Sequence, residues 1–381
     1  MYWQNRYLKE GAVFKSLTGL ETIDLPNKGL LSGIELRVWG TPGAGTDKPD
    51  VWLHDRLQKI EIIVNGSQVV KSLTGEQLLA DMLYKKTPHY GHDMKNVNGV
   101  SCEEFFYINL GRHYHDIDYM LDLGQVNDPE IRITHAFALA AAHGWENGVA
   151  MTAEPSYSIV LHMLREPPAA PAGYIKTSEL YRFTGGVSKQ ENMTVPRGPM
   201  YSNLYVQSWY KAQGLTLLLD KLELNINSDD IIPFRVGPTE LEAEVVRKYG
   251  LFTMSQELTA KGNQVYPFPL EVGKIFGQTR YGTADLGLRL LVLWGNTDSI
   301  PFKTVSTGAL STDEQQVDLT FLGAFPFSLA AIPYFDPWDE RTWVDSSKLG
   351  DIWVRFEGNA GMGTSVVVKL LADEVVTKYG V

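Results

Sequence analysis

Residues 57–86 read LQKIEIIVNGSQVVKSLTGEQLLADMLYKK, and this stretch decides the fold. Lys59 to Val64 alternates apolar and polar side chains, which is typical of a strand with one buried face. Asn65-Gly66 then favours a tight turn, because both residue types tolerate positive φ. Thr74 and Gln77 have the spacing of a capping box, which predicts that a helix begins there.

A second stretch repeats this pattern later in the chain. Residues 219–249 read LDKLELNINSDDIIPFRVGPTELEAEVVRKY, and Thr239 with Glu242 has the spacing of another capping box. A further pair of similar segments, 25–39 and 195–209, keeps the same order relative to the two stretches. The chain is therefore predicted to be one β-rich unit used twice.

Strand-like segments dominate the rest of the chain and are separated by Gly, Pro, Asn and Asp. This pattern favours an all-β fold of sandwiches or barrels with a few short helices. The prolines of segment 167–173 disfavour helix and central strand, so the two units are divided there. The predicted parts are an N-terminal arm (1–15), a first unit (16–166), a Pro- and Ala-rich linker (167–173) and a second unit (174–381).

The correspondence between the units is ambiguous after residue 250. One alternative matches segments 130–133 and 157–164 with the final strands, 351–354 and 365–368, and leaves a large insertion around 251–320. The other matches them with 287–294 and 316–323 and leaves a C-terminal extension. The first is preferred, because a sandwich needs its last strands to close both sheets.

Composition excludes several classes of protein. The single Cys among 381 residues excludes a disulfide framework and a multi-cysteine metal site. The net charge of −11, without any Lys/Arg run, argues against direct binding of nucleic acid. The content of 44% apolar residues excludes a disordered chain, and no apolar run is long enough for a membrane span.

The best metal candidates are His113 and His115, because alternating His residues in a strand point to one face and can share a cation. A bicupin, a double β-barrel metalloenzyme, has a His-x-His motif at about this point. Such a motif also needs a Glu a few residues later, where Tyr119 and Met120 stand. The preferred interpretation is a polar loop without a metal.

Other candidate motifs are non-specific. The Gly-rich segment 40–45 lacks the Lys-Ser/Thr of a phosphate loop, and segment 358–363 lies between two predicted strands rather than before a helix. The carboxylates of segment 336–340 beside Trp343 have the residue types of a glycosidase, but their spacing is too local. Cys102 lacks a basic neighbour that would activate its thiol. No catalytic or cofactor-binding residue is predicted.

The strand, turn and capped helix at 57–86, the second version at 219–249 and the closing hairpin at 351–376 resemble the double jelly-roll major capsid proteins of tailless icosahedral double-stranded DNA viruses, the lineage of corticoviruses, tectiviruses and adenoviruses. The resemblance implies two tandem eight-stranded jelly rolls. It also implies a virion protein, assembled in the host cytoplasm, whose homotrimers form pseudo-hexameric capsomers. These capsomers tile a shell, usually over an internal membrane, beside minor capsid, penton and membrane proteins.

Two further expectations follow from this hypothesis. The N-terminal arm, with Tyr2, Trp3, Arg6 and Lys9, has the aromatic and basic character of a membrane-interface contact. Whether ions bind at subunit contacts is not decided by the sequence. A structural calcium could use the carboxylates of Asp116, Asp118 and Asp122, although no motif supports it.

Two alternatives to a major capsid protein stay open. The first is a double β-sandwich enzyme, either a bicupin-type metalloenzyme or a carbohydrate-active enzyme. The second is a minor spike or receptor-binding protein of a virion.

Overall fold

The computed structural model describes residues 1–43, 50–87, 94–96, 99–146, 148–210, 214–228, 230–260, 263–267, 270–280, 290–295, 299–303, 305–306, 309–310 and 315–377. The α-helices are α1 (Leu53–Arg56), α2 (Gly75–Tyr84), α3 (Leu215–Leu218) and α4 (Pro238–Tyr249), and 3₁₀ turns lie at Leu123–Gln125, Glu340–Thr342 and Ser346–Lys348. Among the described residues, no helix is both long enough and apolar enough to span a membrane.

The first half of the chain forms a two-sheet sandwich, called the first roll here. Its strands are β1 (Tyr2–Val13), β2 (Thr18–Asp24), β3 (Leu30–Gly40), β4 (Leu57–Val64), β5 (Gln68–Leu73), β6 (Met94–Asn96), β7 (Cys102–Asn109), β8 (Leu121–Asp122), β9 (Glu130–Ala136) and β10 (Ser156–Arg165). One sheet has the order β1-β10-β3-β7 and the other β2-β9-β4-β5. Apart from the β4–β5 hairpin, successive strands of these two orders lie in opposite sheets. This is jelly-roll connectivity.

The second half repeats this arrangement in a second roll. Its eight strands are β11 (Tyr174–Thr184), β12 (Gln190–Val195), β13 (Met200–Gln207), β14 (Leu219–Ile226), β15 (Ile231–Val236), β24 (Leu329–Ala331), β26 (Ile352–Gly358) and β27 (Val367–Val376). They pair in the orders β11-β27-β13-β24 and β12-β26-β14-β15. In these orders β26 and β27 hold the places that β9 and β10 hold in the first roll. The segment 167–173 connects β10 to β11.

The strands between α4 and β24 lie outside the jelly-roll order. They are β16 (Phe252–Ala260), β17 (Asn263–Pro267), β18 (Leu270–Arg280), β19 (Leu290–Gly295), β20 (Ser299–Lys303), β21 (Val305–Ser306), β22 (Ala309–Leu310) and β23 (Gln315–Pro326). The order β16-β23-β18-β19 continues the sheet of the first roll, because β16 pairs in parallel with β6. A two-residue strand, β25 (Val344–Asp345), pairs with β13.

The repeated stretch folds as its pattern predicts. Ile60, Ile62 and Val64 are fully buried, whereas Lys59 on the opposite face of β4 is exposed. Asn65 and Gly66 both have positive φ, at 52° and 79°, as a tight hairpin turn requires. In the second copy Asn227 and Ser228 have the same left-handed backbone at the same point.

Two details of the repeat differ from the prediction. Helix α2 has the predicted capping box, since the Gln77 side chain accepts from Thr74 N at 3.0 Å. Helix α4 instead begins after Gly237 with Pro238 at its first position, so the predicted box of Thr239 with Glu242 is wrong. Proline there preorganises φ and needs no capping partner for its nitrogen. The first strand of the second copy also follows a helical turn that was not predicted, α3, which matches α1 in the first roll.

The predicted N-terminal arm is mostly the strand β1. It pairs antiparallel with β10 from Tyr2↔Arg165 to Val13↔Ser156, with two register shifts. Gly11 N also donates to Ser158 Oγ at 2.9 Å. The sequence obscures this strand because β1 lies at a sheet edge, where only one side of the backbone is paired and most side chains stay exposed.

Candidate functional site: the junction between the two rolls

The two rolls are joined by one pair of parallel strands. Strand β5 of the first roll pairs with β11 of the second, with Lys71 opposite Thr177 and Ser72 opposite Ser178. The pair makes a continuous sheet from β2-β9-β4-β5 of the first roll into β11-β27-β13-β24 of the second. The rolls are therefore fixed side by side by backbone hydrogen bonds as well as by side chains.

A buried cluster of charges crosses this junction, called the junction cluster here. Lys71 Nζ donates to Asp81 Oδ2 and to Thr177 Oγ1, both at 2.8 Å. Lys85 Nζ lies 2.8 Å from Asp81 Oδ1 and 3.2 Å from Asp373 Oδ1. The four charged side chains are at most 3% exposed, and their formal charges cancel. Cancellation matters because an unpaired buried charge is very costly.

The pKa shifts of Asp81 and Lys85 agree with this balance, whereas burial lowers the pKa of Lys71 to about 8. Burial opposes ionisation of Asp81, but the two lysines outweigh it and lower the pKa of its carboxyl. Burial also opposes the charge on Lys85, where Asp373 and Asp81 outweigh it and raise the pKa of the ammonium group. Tyr205 completes the cluster by donating its hydroxyl to Asp373 Oδ2 at 2.8 Å. We infer that the two lysines and the two aspartates are all ionised in the folded protein and that their charges cancel.

Helix α2 brings two uncharged contacts to the same junction. Gln77 Nε2 donates to Gln207 Oε1 at 2.8 Å, with both side chains buried. The Tyr84 hydroxyl donates to Leu329 O at 2.7 Å and accepts from Ala331 N at 3.2 Å, both on β24. Its ring packs against Tyr205 with the ring centroids 5.4 Å apart. Helix α2 of the first roll thus contacts the second roll through buried side chains.

Comparisons with known proteins agree with this architecture. No protein-family profile and no curated protein matches the chain. Solved structures match over its whole length. The major capsid protein of Sulfolobus turreted icosahedral virus has a TM-score of 0.59 at 12% identity and covers 100% of this chain and 98% of its own. The major capsid protein of bacteriophage PM2 has a TM-score of 0.51 at 12% identity, with 100% of both chains covered.

PBCV-1 VP54, fitted into a reconstruction of the virophage Sputnik, has a TM-score of 0.51 at 10% identity and covers 98% of this chain and 94% of its own. These likenesses and the two strand orders agree on the fold. This chain is a double jelly roll. At 10–12% identity the likeness extends to the fold alone.

The double jelly roll places the predicted metal candidates in a loop rather than a strand. His113 Nδ1 lies 3.0 Å from Tyr114 O, whereas His115 Nε2 lies 3.3 Å from His162 Nδ1. His115 also stacks on Trp3 with the ring centroids 4.1 Å apart. The two histidines therefore make different contacts instead of sharing one face. Among the described residues, no three His, Cys, Asp or Glu side chains are grouped to hold a metal.

Two of the three aspartates considered for calcium, Asp116 and Asp118, contact Arg112. Arg112 Nε donates to Asp116 Oδ2 at 2.8 Å, and its Nη2 donates to Asp118 Oδ2 at 2.5 Å. Asp122 accepts from Gly124 N at 2.9 Å. Calcium at these residues stays a hypothesis that no motif supports.

The remaining candidates have local structural contacts. Asp336 O accepts from Trp343 Nε1 at 3.1 Å, and Asp339 pairs with Arg341 at 2.7 Å. Segment 358–363 connects β26 to β27, whereas part of segment 40–45 lies outside the described residues. Burial raises the pKa of the Cys102 thiol to about 12, which disfavours the reactive thiolate.

A buried histidine that was not predicted lies beside the junction. His54 Nδ1 is 3.1 Å from both carboxylate oxygens of Glu104, and its Nε2 is 3.9 Å from Asp55 Oδ1. Burial disfavours the charged ring, but Glu104 and Asp55 outweigh burial and raise the pKa of His54 to about 9. Next to it, an open cleft of about 480 Å³ is lined by both rolls, including Glu76, His143 and Lys369.

His54 predicts a pH-dependent contribution to stability. Its folded pKa of about 9 exceeds the ordinary value of 6.5, so the contribution is full below pH 6.5 and is lost as pH rises through 9. The shift corresponds to about 3 kcal/mol. We expect the difference in free energy of unfolding between wild type and His54→Gln to shrink by about that amount from pH 6 to pH 10, measured by urea denaturation. A difference that is constant over this range would contradict the assignment.

Proposed function

We propose that this chain is a major capsid protein of a tailless icosahedral double-stranded DNA virus, a bacteriophage among the candidates. The supporting observation is that one chain holds two equivalent rolls joined side by side, with strand orders that match position for position. Three such chains supply six similar units, which suits a six-fold position in a shell. The full-length likeness to capsid proteins supports the same proposal.

The proposed role is structural rather than catalytic. The homotrimer is a pseudo-hexameric capsomer, and capsomers tile the virion shell over an internal membrane after assembly in the host cytoplasm. Other copies of the chain are the main partners, beside minor capsid, penton and membrane proteins of the virion. The net charge of −11 suits a shell without direct contact to nucleic acid.

A membrane contact at the N-terminus is the finer part of the proposal. Tyr2, Arg6 and Lys9 are exposed on β1. Trp3 instead stacks on His115, so its ring is less available to lipid than the sequence predicted. The contact is therefore assigned to the exposed basic side chains of β1 and to Met1, which precedes the strand.

Native mass spectrometry of the purified chain tests this function. We expect a three-chain species at micromolar concentration, because obligate interfaces of roughly 2,000 Å² or more give stable oligomers. Vesicles of anionic lipid should be added in a separate arm to test the membrane contact. A chain that stays monomeric at this concentration would contradict the capsid proposal.

A further inference from the structure

The two rolls differ in which of their edges are covered. If only the eight jelly-roll strands of each roll are counted, the first strand is β1 in the first roll and β11 in the second. The fifth strand is β5 in the first roll and β15 in the second. Inside the chain, the fifth strand of the first roll pairs with the first strand of the second. Within the described residues, β1 and β15 end their sheets, without a strand on their outer sides.

The strand registers define which residues are equivalent. In the first roll Asn5 pairs with His162, which pairs in turn with Gly33 of β3. In the second roll Thr177 pairs with Asp373, which pairs in turn with Asn203 of β13. Gly33 and Asn203 hold matching positions in the two rolls. Tyr2 in β1 is therefore equivalent to Tyr174 in β11. Both strands also have a register shift at the same place, after Tyr7 in β1 and after Glu179 in β11.

The fifth strands align in the same way. Val64 lies opposite Gln68 in the first roll, and Ile226 lies opposite Ile231 in the second. Gln68 in β5 is therefore equivalent to Ile231 in β15. Inside the chain, Gln68 Nε2 donates to the Tyr174 hydroxyl at 3.2 Å, so these positions touch across the junction.

The equivalent residues at the open edges are apolar and exposed. Tyr2 is 54% exposed, whereas its equivalent Tyr174 is 1% exposed. Ile231 and Ile232 at the start of β15 are 49% and 44% exposed. A row of unpaired backbone groups beside exposed apolar side chains is a template for pairing with another strand.

We propose that β15 of one copy pairs in parallel with β1 of the next copy and repeats the internal β5–β11 junction between chains. The inference rests on the proposed function, because the closed trimer supplies the second copy. Tyr2 then packs on Ile231 of the neighbouring copy, in place of the internal hydrogen bond between Tyr174 and Gln68. Such a contact joins unlike surfaces, so it closes into a ring when the rotation per chain is one third of a turn.

Charges at the proposed contact are compatible with pairing. Inside the chain Ser178 lies opposite Ser72. If the same register is kept between chains, their equivalents Arg6 and Arg235 of the neighbouring copy lie opposite each other. Arg235 lies 3.3 Å from Glu223 and 3.9 Å from Glu357, which offset its charge. Phe234 and Asn5 replace Lys71 and Thr177, so the buried charges of the junction cluster are not repeated between chains.

The first test is a pair of exposed substitutions. The double variant Ile231→Lys/Ile232→Lys places charge on the open edge of β15, and we expect the trimer fraction at micromolar concentration to fall about tenfold or more. The matched control is Leu20→Lys, which changes a 53% exposed strand residue on β2 and should keep the trimer. Native mass spectrometry and circular dichroism report assembly and folding separately.

The second test is a cross-link. Parallel strands lie about 4.8 Å apart, so Tyr2→Cys and Ile231→Cys in one chain bring two thiols together between copies. With a short bis-maleimide we expect covalent dimers and trimers, and monomers for each single variant; the native Cys102 is buried.

The outcomes separate the two proposals. A wild-type trimer that survives Ile231→Lys/Ile232→Lys and does not cross-link overturns the strand pairing and leaves the capsid function standing. A wild-type chain that is monomeric overturns both proposals.

Discussion

Asp81→Ala is expected to lower the free energy of unfolding by about 3–5 kcal/mol, because it leaves two lysines buried with one carboxylate between them. Asp81 contacts both Lys71 and Lys85 through its carboxylate oxygens, each at 2.8 Å. Urea denaturation followed by circular dichroism at neutral pH measures the loss.

The matched control for Asp81→Ala is Lys59→Ala. Lys59 pairs with Glu61 at 2.7 Å, but its side chain is 51% exposed. Exposed pairs contribute about 0–1 kcal/mol, so the control should change stability little. A loss below about 1 kcal/mol for Asp81→Ala would show that the junction cluster does not hold the rolls together.

Tyr84→Ala is expected to cost about 4 kcal/mol or more, since it removes a fully buried aromatic ring and leaves a cavity between the rolls. The ring lies 5.0 Å from both Tyr249 and Phe252, measured between centroids. The same denaturation assay applies, and a loss below about 2 kcal/mol would contradict a packing role for this ring.

Tyr84→Phe separates the hydrogen bonds from the packing. It keeps the ring but removes the hydroxyl that contacts Leu329 O and Ala331 N. We expect a loss of about 1–3 kcal/mol, because two backbone groups on β24 lose their partner. Equal losses for Phe and Ala would assign the whole effect to the hydroxyl.

Much of the fold is predictable from the sequence because its signals are local. The alternation of Ile60, Ile62 and Val64 and the capping box of Thr74 with Gln77 each lie within a few residues. Two such local patterns, repeated in the same order, are enough to predict a duplicated β unit. The edge strand β1 was not predicted as a strand, because an edge needs little apolar alternation.

The junction cluster is harder to predict because its partners are distant in the chain. Asp373 lies 288 positions after Lys85, so the two residues look like ordinary surface charges in the sequence. One local signal does exist: Asp81 and Lys85 follow Leu78 and Met82 by three residues each, which places both charges on the apolar face of α2. Charges on such a face indicate a buried partner elsewhere in the chain.

The histidine motif shows why spacing alone does not define a metal site. The spacing of His113 and His115 predicts a shared face only if both lie in a strand. The segment is a loop, and His115 has a positive φ of 56°, so the period of two does not apply. Backbone conformation, rather than spacing, decides which side chains converge.

Electron microscopy of the purified oligomer, viewed down its symmetry axis, tests the central claim most directly. A capsomer of three double jelly rolls predicts three-fold symmetric particles with six similar lobes in a near-hexagonal ring. Particles with two lobes, or a ring with any number of lobes other than six, would contradict the account.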